Sequence, residues 1–201
     1  MDEVIKDDKA AEEEKHEPSL LRDLVGRTEE LADLWDCLQS VIGERKPRMV
    51  TLIGSPGIGK TRILTEFLGK AREDVEGLKI LRGICRPEGR AYHVFTRILR
   101  SRCGIFEGLA PEKVQEQFRR ELTDVLGDRR VTEFLHFLGS YVDVRFPDNP
   151  FLRTMEANPE QFDEIRKSVL KRFFEVDSEK RPLLLTFEDL QYVNEETLEL
   201  I

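Results

Sequence analysis

Residues 49–61, Met-Val-Thr-Leu-Ile-Gly-Ser-Pro-Gly-Ile-Gly-Lys-Thr, constrain the fold more than any other stretch of the chain. An apolar run of Met49, Val50, Leu52 and Ile53 stops at Gly54. From there Gly54, Ser55, Pro56, Gly57, Ile58, Gly59, Lys60 and Thr61 fit the phosphate-binding pattern G-x-x-x-x-G-K-[ST]. Gly54, Gly57 and Gly59 let the backbone take positive φ and curl around an anion, with consecutive N–H groups turned inward. Ile63, Leu64, Phe67 and Leu68 recur at helical spacing behind the loop, so a helix N-terminus is expected to aim its partial positive charge at the same place. Lys60 suits the β- and γ-phosphates as a point charge, the Thr61 hydroxyl suits Mg2+, and Arg62 completes the run of candidate contacts. A strand must precede such a loop, and Pro47 breaks the chain just ahead of the apolar run. A glycine-rich turn matching by chance would need neither flank.

The 201 residues, 39% of them apolar, suit one domain or slightly more, with a real core. The net charge of −8 is not a nucleic-acid signature, and much of it is local: residues 1–17 hold eight acidic side chains against Lys6, Lys9 and Lys15. With little to bury, residues 1–18 read as a disordered, solvated acidic tail, or alternatively an acidic docking arm, ahead of a folded domain over 19–201. Cys37, Cys85 and Cys103 are odd in number and lack C-x-x-C spacing, which suggests neither a disulfide framework nor a zinc site and fits a reducing cytoplasm. The N-terminus is acidic where a signal peptide is basic and apolar, and no run approaches a membrane span. Neither direct nucleic-acid contact nor a membrane is expected.

Thr28-Glu-Glu reads as a helix start with a hydroxyl N-cap, and Leu31, Leu34, Trp35, Leu38, Val41 and Ile42 trace one apolar face ending near Gly43. Residues 78–85 are a strand candidate, so strand, helix and strand form a parallel crossover unit. Three helices follow, marked by Tyr92, Phe95, Ile98 and Leu99, then Val114, Phe118, Leu122 and Val125 between Pro111 and Gly127, then Val131, Phe134, Leu135, Leu138 and Tyr141. Two prolines exclude helix over 146–151. A further helix carries Phe162, Ile165, Val169, Leu170 and Phe173, and the apolar run 183–187 reads as a strand buried on both faces. His93 and His136 have no partner at a telling spacing, Arg129 and Arg130 read as a solvated helix start, and Trp35 reads as core.

The buried strand runs into Glu188 and Asp189. Two carboxylates at the C-terminal end of a central strand are costly unless something there requires negative charge, and that edge is the ligand crevice of an open α/β sheet. A Mg2+ ion on phosphates is such a partner: one carboxylate would hold the metal through water, and the next would orient or deprotonate the attacking water. A solvated acidic turn is the plainer alternative.

Taken together, Leu24-Val25-Gly26-Arg27 with Thr28-Glu-Glu-Leu-Ala, the 54–61 loop, Arg82-Gly-Ile-Cys-Arg-Pro, and Leu184-Leu-Thr-Phe-Glu-Asp-Leu-Gln-Tyr followed by Thr197-Leu-Glu-Leu resemble the start of an AAA-type STAND signalling ATPase. In these large regulators a P-loop ATPase module sits among kinase, cyclase, DNA-binding or helical-repeat modules. The resemblance covers roughly residues 21–201. It implies an α/β P-loop NTPase of three layers with a parallel sheet and a helical segment between strands 2 and 3. It also implies that Val25, Gly26 and Arg27 lie against adenine, that Lys60 and Thr61 are the Walker A lysine and magnesium ligand, that Glu188 is the Walker B metal carboxylate, usually Asp, and that Asp189 is the catalytic carboxylate. Gln191, Tyr192 and Asn194 stand where the family often has His, Trp and Asp. The same resemblance puts the Met49 strand between the fourth and fifth strands of the sheet. Those strands and the C-terminal helical lid do not appear by Ile201, so an incomplete module is expected, a gene fragment or the front of a longer protein.

The expected function is an ATP–Mg2+-binding switch with slow hydrolysis, acting through other protein modules or self-association. Two alternatives stand beside it: a phosphotransferase with residues 111–141 as a lid, and a non-catalytic remnant acting by protein contact.

Overall fold

Helix α1 (Thr28–Glu44) forms where Glu29 and Glu30 meet the positive end of the helix dipole, and it buries Leu34 and Leu38. The computed structural model describes residues 26–87, 91–146 and 158–201, and the chain divides into two units at Gly69 and Lys70. The acidic tail therefore lies outside the described residues, as do residues 147–151 of the expected proline loop.

In the first unit the start of α1 differs from expectation: Arg27, not Thr28, is the N-cap and makes no side-chain cap bond, while the helix ends at Glu44, near Gly43 as expected. Arg45 takes the left-handed conformation at φ 54 and its N–H bonds the Val41 carbonyl at 2.9 Å. The N–H that closes on the last open carbonyl decides the stop, so a nearby glycine is not required. Trp35 is half-buried rather than core.

The larger correction concerns the strand expected over 49–53. Residues 45–53 enter no strand, and among the described residues no backbone hydrogen bond reaches 46–53. Ile53 is 90% exposed, Met49 77% and Val50 51%. Strand propensity needs a neighbouring strand to become a ladder, and none of the described residues provides one here. After the loop, α2 (Lys60–Asp74) buries Ile63, Phe67, Leu68 and Ala71 along one stripe, and it runs across the division between the units.

The second unit is built on two parallel strands, β1 (Lys79–Ile84) and β2 (Leu183–Glu188), paired from Lys79 with Leu183 to Ile84 with Glu188. Leu183, Leu184 and Leu185 are half-buried, not fully buried as their apolar run suggested, because each strand of the two-stranded sheet has one flank unpaired among the described residues. The segment between the strands supplies α3 (His93–Arg102), α4 (Pro111–Leu126), α5 (Asp128–Val142) and α6 (Pro159–Lys180).

Helix α3 lies directly on β1 because Gly83 has no side chain. A Cβ there would stand 2.3 Å from the Val94 Cγ2 and 3.0 Å from the Ile98 Cδ1. Gly127, at φ 77, closes α4 and opens α5 in one residue. The apolar faces of these helices join in one cluster that includes Ile98, Leu99, Phe118, Leu122, Leu138, Leu170 and Phe173, all at 1% exposure or less. At its edge Arg102 of α3 is paired with Asp177 of α6. Its Nε and Nη2 reach the two carboxylate oxygens at 2.5 and 2.8 Å, and Nη1 reaches Glu121 of α4 at 3.2 Å. Past β2 come a single 3-10 turn (Leu190–Tyr192) and the short α7 (Glu195–Leu198), capped by the Asn194 side chain accepting from the Thr197 N–H.

Candidate functional site

The phosphate-loop candidates lie together in the first unit. Gly57 and Gly59 are at φ 80 and 100, and a Cβ built on either would meet nothing within 4 Å. These conformations favour glycine and turn successive amides to one side. Among the described residues no protein acceptor takes the amides of Gly57, Gly59, Lys60 or Thr61. The first bond of the helix proper runs from the Ile63 N–H to the Gly59 carbonyl at 3.0 Å. Unmet N–H donors at the start of the 15-residue α2 suit an anion.

Lys60 is folded back over this loop, with Nζ donating to the Gly54 carbonyl at 2.8 Å and the Ser55 carbonyl at 3.2 Å. The ammonium is thereby parked on neutral acceptors at the loop's mouth, which a phosphate oxygen outcompetes as a charged one. Gly26 and Arg27 also belong to this unit. The Arg27 guanidinium donates to the Ile58 carbonyl of the loop at 3.3 Å and pairs with Glu30, whose carboxyl that bond holds below its usual range. Val25, the first of that trio, lies outside the described residues. Ser55, Pro56, Ile58, Thr61 and Arg62 are exposed along the loop and its helix.

Glu188 and Asp189 belong to the second unit. Glu188 is the last residue of β2, and its backbone carbonyl accepts from the Cys85 N–H at 2.9 Å. Its carboxylate accepts from Arg82 of β1, at 2.7 Å from Nη2 and 3.2 Å from Nε. Asp189 follows in the left-handed conformation at φ 58, a strained setting for a residue other than glycine and one Asp tolerates better than most. Its Oδ1 accepts from the Gln191 side chain at 3.2 Å. Burial pushes the nearby Cys85 thiol up, and the Asp189 charge adds to that. The strand end thus carries two differently held carboxylates, one gripped by a cation and one at a tight turn.

The resemblance took in Arg82 but gave it no role. No spacing marks it, because its closeness to Glu188 comes from the β1–β2 register across 106 residues of chain. His93, read as unremarkable, lines a small cavity with Cys85, Arg86, Tyr192, Asn194 and Thr197; its space of about 20 Å³ admits a water and little more.

In the first unit the loop amides and Lys60 suit phosphate and the Thr61 hydroxyl is a hard oxygen donor of the kind Mg2+ takes; in the second unit, taken by itself, the Glu188 carboxylate is another such donor. Among the described residues there is no group of three or more His, Cys, Asp and Glu that would hold a metal unaided. Among the described residues no helix is long and apolar enough to cross a membrane.

Neither the curated proteins nor the solved structures contain a match to this chain. The sequence model of the AAA ATPase domain matches residues 23–201, a span that takes in Gly26 and Arg27, the glycine loop and the Glu188-Asp189 strand end. Members of that family are P-loop NTPases and generally bind ATP with Mg2+. The chain therefore belongs to the AAA ATPase domain family.

Proposed function

We propose that the chain is an ATP–Mg2+-binding switch module of a signalling regulator of the STAND type, with slow hydrolysis at most. The unaccepted amides of Gly57, Gly59, Lys60 and Thr61, at the start of α2, are the observation that supports it best. In this reading Gly54, Ser55, Pro56, Gly57, Ile58, Gly59, Lys60, Thr61 and Arg62 hold the phosphates, and Val25, Gly26 and Arg27 face the adenine. Thr61 and Glu188 hold the metal, which when bound neutralises phosphate charge. Asp189 orients the attacking water.

The exposed run 49–53 extends the proposal. Met49, Val50 and Ile53 stand in solvent with no strand beside them among the described residues. An apolar strand of this kind is stable only when both its edges and faces are covered. Strands from outside the described residues, either of the same regulator or of a protein partner, complete the sheet around it.

Calorimetric titration with ATP and Mg2+ tests the reading. Lys60→Ala removes a charge-assisted contact worth about 1.5 to 3 kcal/mol, so affinity falls about tenfold to a hundredfold. Equal affinity in the two proteins would remove the loop from the site. Turnover that required an added acceptor would point instead to a phosphotransferase.

A further inference from the structure

We propose that Tyr92 and Tyr141 compete for the Asp163 carboxylate, and that this competition is a latch deciding whether the segment after β2 is held against the helical cluster. Tyr92, the N-cap of α3, sits at φ 64, a left-handed conformation in which a bulky aromatic residue is an outlier. Strain of this kind persists only where the surroundings enforce it. The Tyr92 N–H donates to Thr197 Oγ1 of α7 at 2.9 Å, and its phenol donates to Asp163 Oδ2 of α6 at 2.9 Å. Tyr92 and Thr197 are both buried, so a single residue ties the start of α3 to α6 and to α7.

Tyr141 of α5 packs edge-on to Tyr92 with ring centroids 5.7 Å apart, and the Arg166 guanidinium lies over both rings, 4.5 Å from the Tyr92 centroid and 5.2 Å from the Tyr141 centroid. The Tyr141 hydroxyl is buried and has no hydrogen-bond partner among the described residues. Burial pushes its pKa up against the pull of Arg166, and the Asp163 charge adds to that, so it remains a donor. The neighbouring acceptor is already full. A carboxylate offers about four lone-pair sites; Tyr92 and Lys167 take Oδ2, and Arg166 Nε and Nη2 take Oδ1. Both cations sit on α6 with Asp163, so the acceptor keeps its place whichever phenol occupies it.

A handover of Oδ2 from Tyr92 to Tyr141 keeps the number of bonds to Asp163, satisfies the orphan hydroxyl and lets residue 92 relax to negative φ. Against it stand the loss of the buried bond to Thr197 and of the Tyr92 phenol's partner. Gains and losses of similar size make a two-state element. Closed, the latch holds α7, which follows Asp189 by way of the 3-10 turn; open, it releases α7. The carboxylate end of β2 is thereby coupled to the packing of α5 and α6.

Hydrogen exchange on the whole chain tests the latch, read at the amides of residues 92 and 197, with those of Leu99 and Leu170 as the reference for global opening and thermal melts to confirm folding of each variant. In the wild-type chain the first two exchange faster than the reference, because they open with the latch. Tyr141→Phe removes the competitor and slows them by about threefold to tenfold relative to the reference, the worth of one hydrogen bond in the open state. In an Asp163→Ala background, where neither phenol has the acceptor, the same change produces no relative shift. A purely structural role for Tyr141, which makes no bond to α7, would move all four amides alike. Wild-type exchange at 92 and 197 no faster than the reference, no relative slowing in Tyr141→Phe, or a slowing that persists without Asp163 overturns the inference.

Discussion

The two units differ in how their residues are supported. In the first, the described buried apolar residues are few, Leu34, Leu38, Ile63, Phe67 and Leu68, and the stretch of greatest chemical specificity lies bare among exposed neighbours. In the second, Leu81 through Phe173 share one cluster, and even the ionic Arg102–Asp177 contact is buried, with side-chain exposures of 2% and 0%. On the proposed reading the loop keeps its polar groups unmet for a ligand. The helical cluster is held by packing, so its residues are interchangeable in sequence and demanding in volume. Specificity in sequence and stability in structure sit in different places.

Hydrogen exchange gives the widest separation between the units. Amides of the second unit's sheet and core helices, such as Leu81, Leu99 and Leu170, exchange only through large openings, with free energies approaching the chain's global stability of several kcal/mol, on the order of 5 or more. Those of Val50 to Ile53, which have no bonded partner among the described residues, exchange near the intrinsic rate. Strong protection of Val50 to Ile53 in the isolated chain would break the comparison.

Asp177→Ala comes next. It leaves Arg102 charged in the interior with only the longer contact to Glu121, and costs the second unit about 3 to 5 kcal/mol in urea unfolding. Arg102→Met with Asp177→Leu together recovers most of that loss, since a buried pair contributes little over apolar residues of similar volume. A small loss from Asp177→Ala alone would mean that the buried pair is not the clamp between α3 and α6.

The smallest effect is one of pH. Burial alone would push the Asp163 carboxyl up, but hydrogen bonds from Lys167, Tyr92 and Arg166 more than reverse this and hold it below the usual carboxylate range. A lowered folded pKa contributes stability above the unfolded value that is lost as pH falls through the folded one. Asp163→Asn therefore removes under about 1 kcal/mol at neutral pH and flattens the acid limb of the second unit's unfolding curve below about pH 4. Parallel curves for the two proteins in acid would place the pH sensitivity elsewhere.

Much of the second unit was legible from periodicity. The helices marked by Phe95 and Leu99, by Phe118 and Leu122, and by Leu135 and Leu138 all formed, because an apolar stripe long enough to be a helix is also what the cluster needs. The 49–53 run was read with equal ease and did not become a strand. A helix closes its hydrogen bonds within one segment, whereas a strand closes them only with another.

The sequence alone determined the glycine loop, its lysine and threonine, and the carboxylates at the end of an apolar strand, since these depend on neighbours within a few residues. It also placed Gly127 between two helices, where only local dihedral freedom matters. Tertiary structure decided the rest: that Arg82 meets Glu188, that Gly83 admits α3, and that Arg102 finds Asp177. Each of these contacts joins residues on separate elements. Spacing along the chain carries no trace of such a meeting, because it is set by strand register and helix packing rather than by local preference.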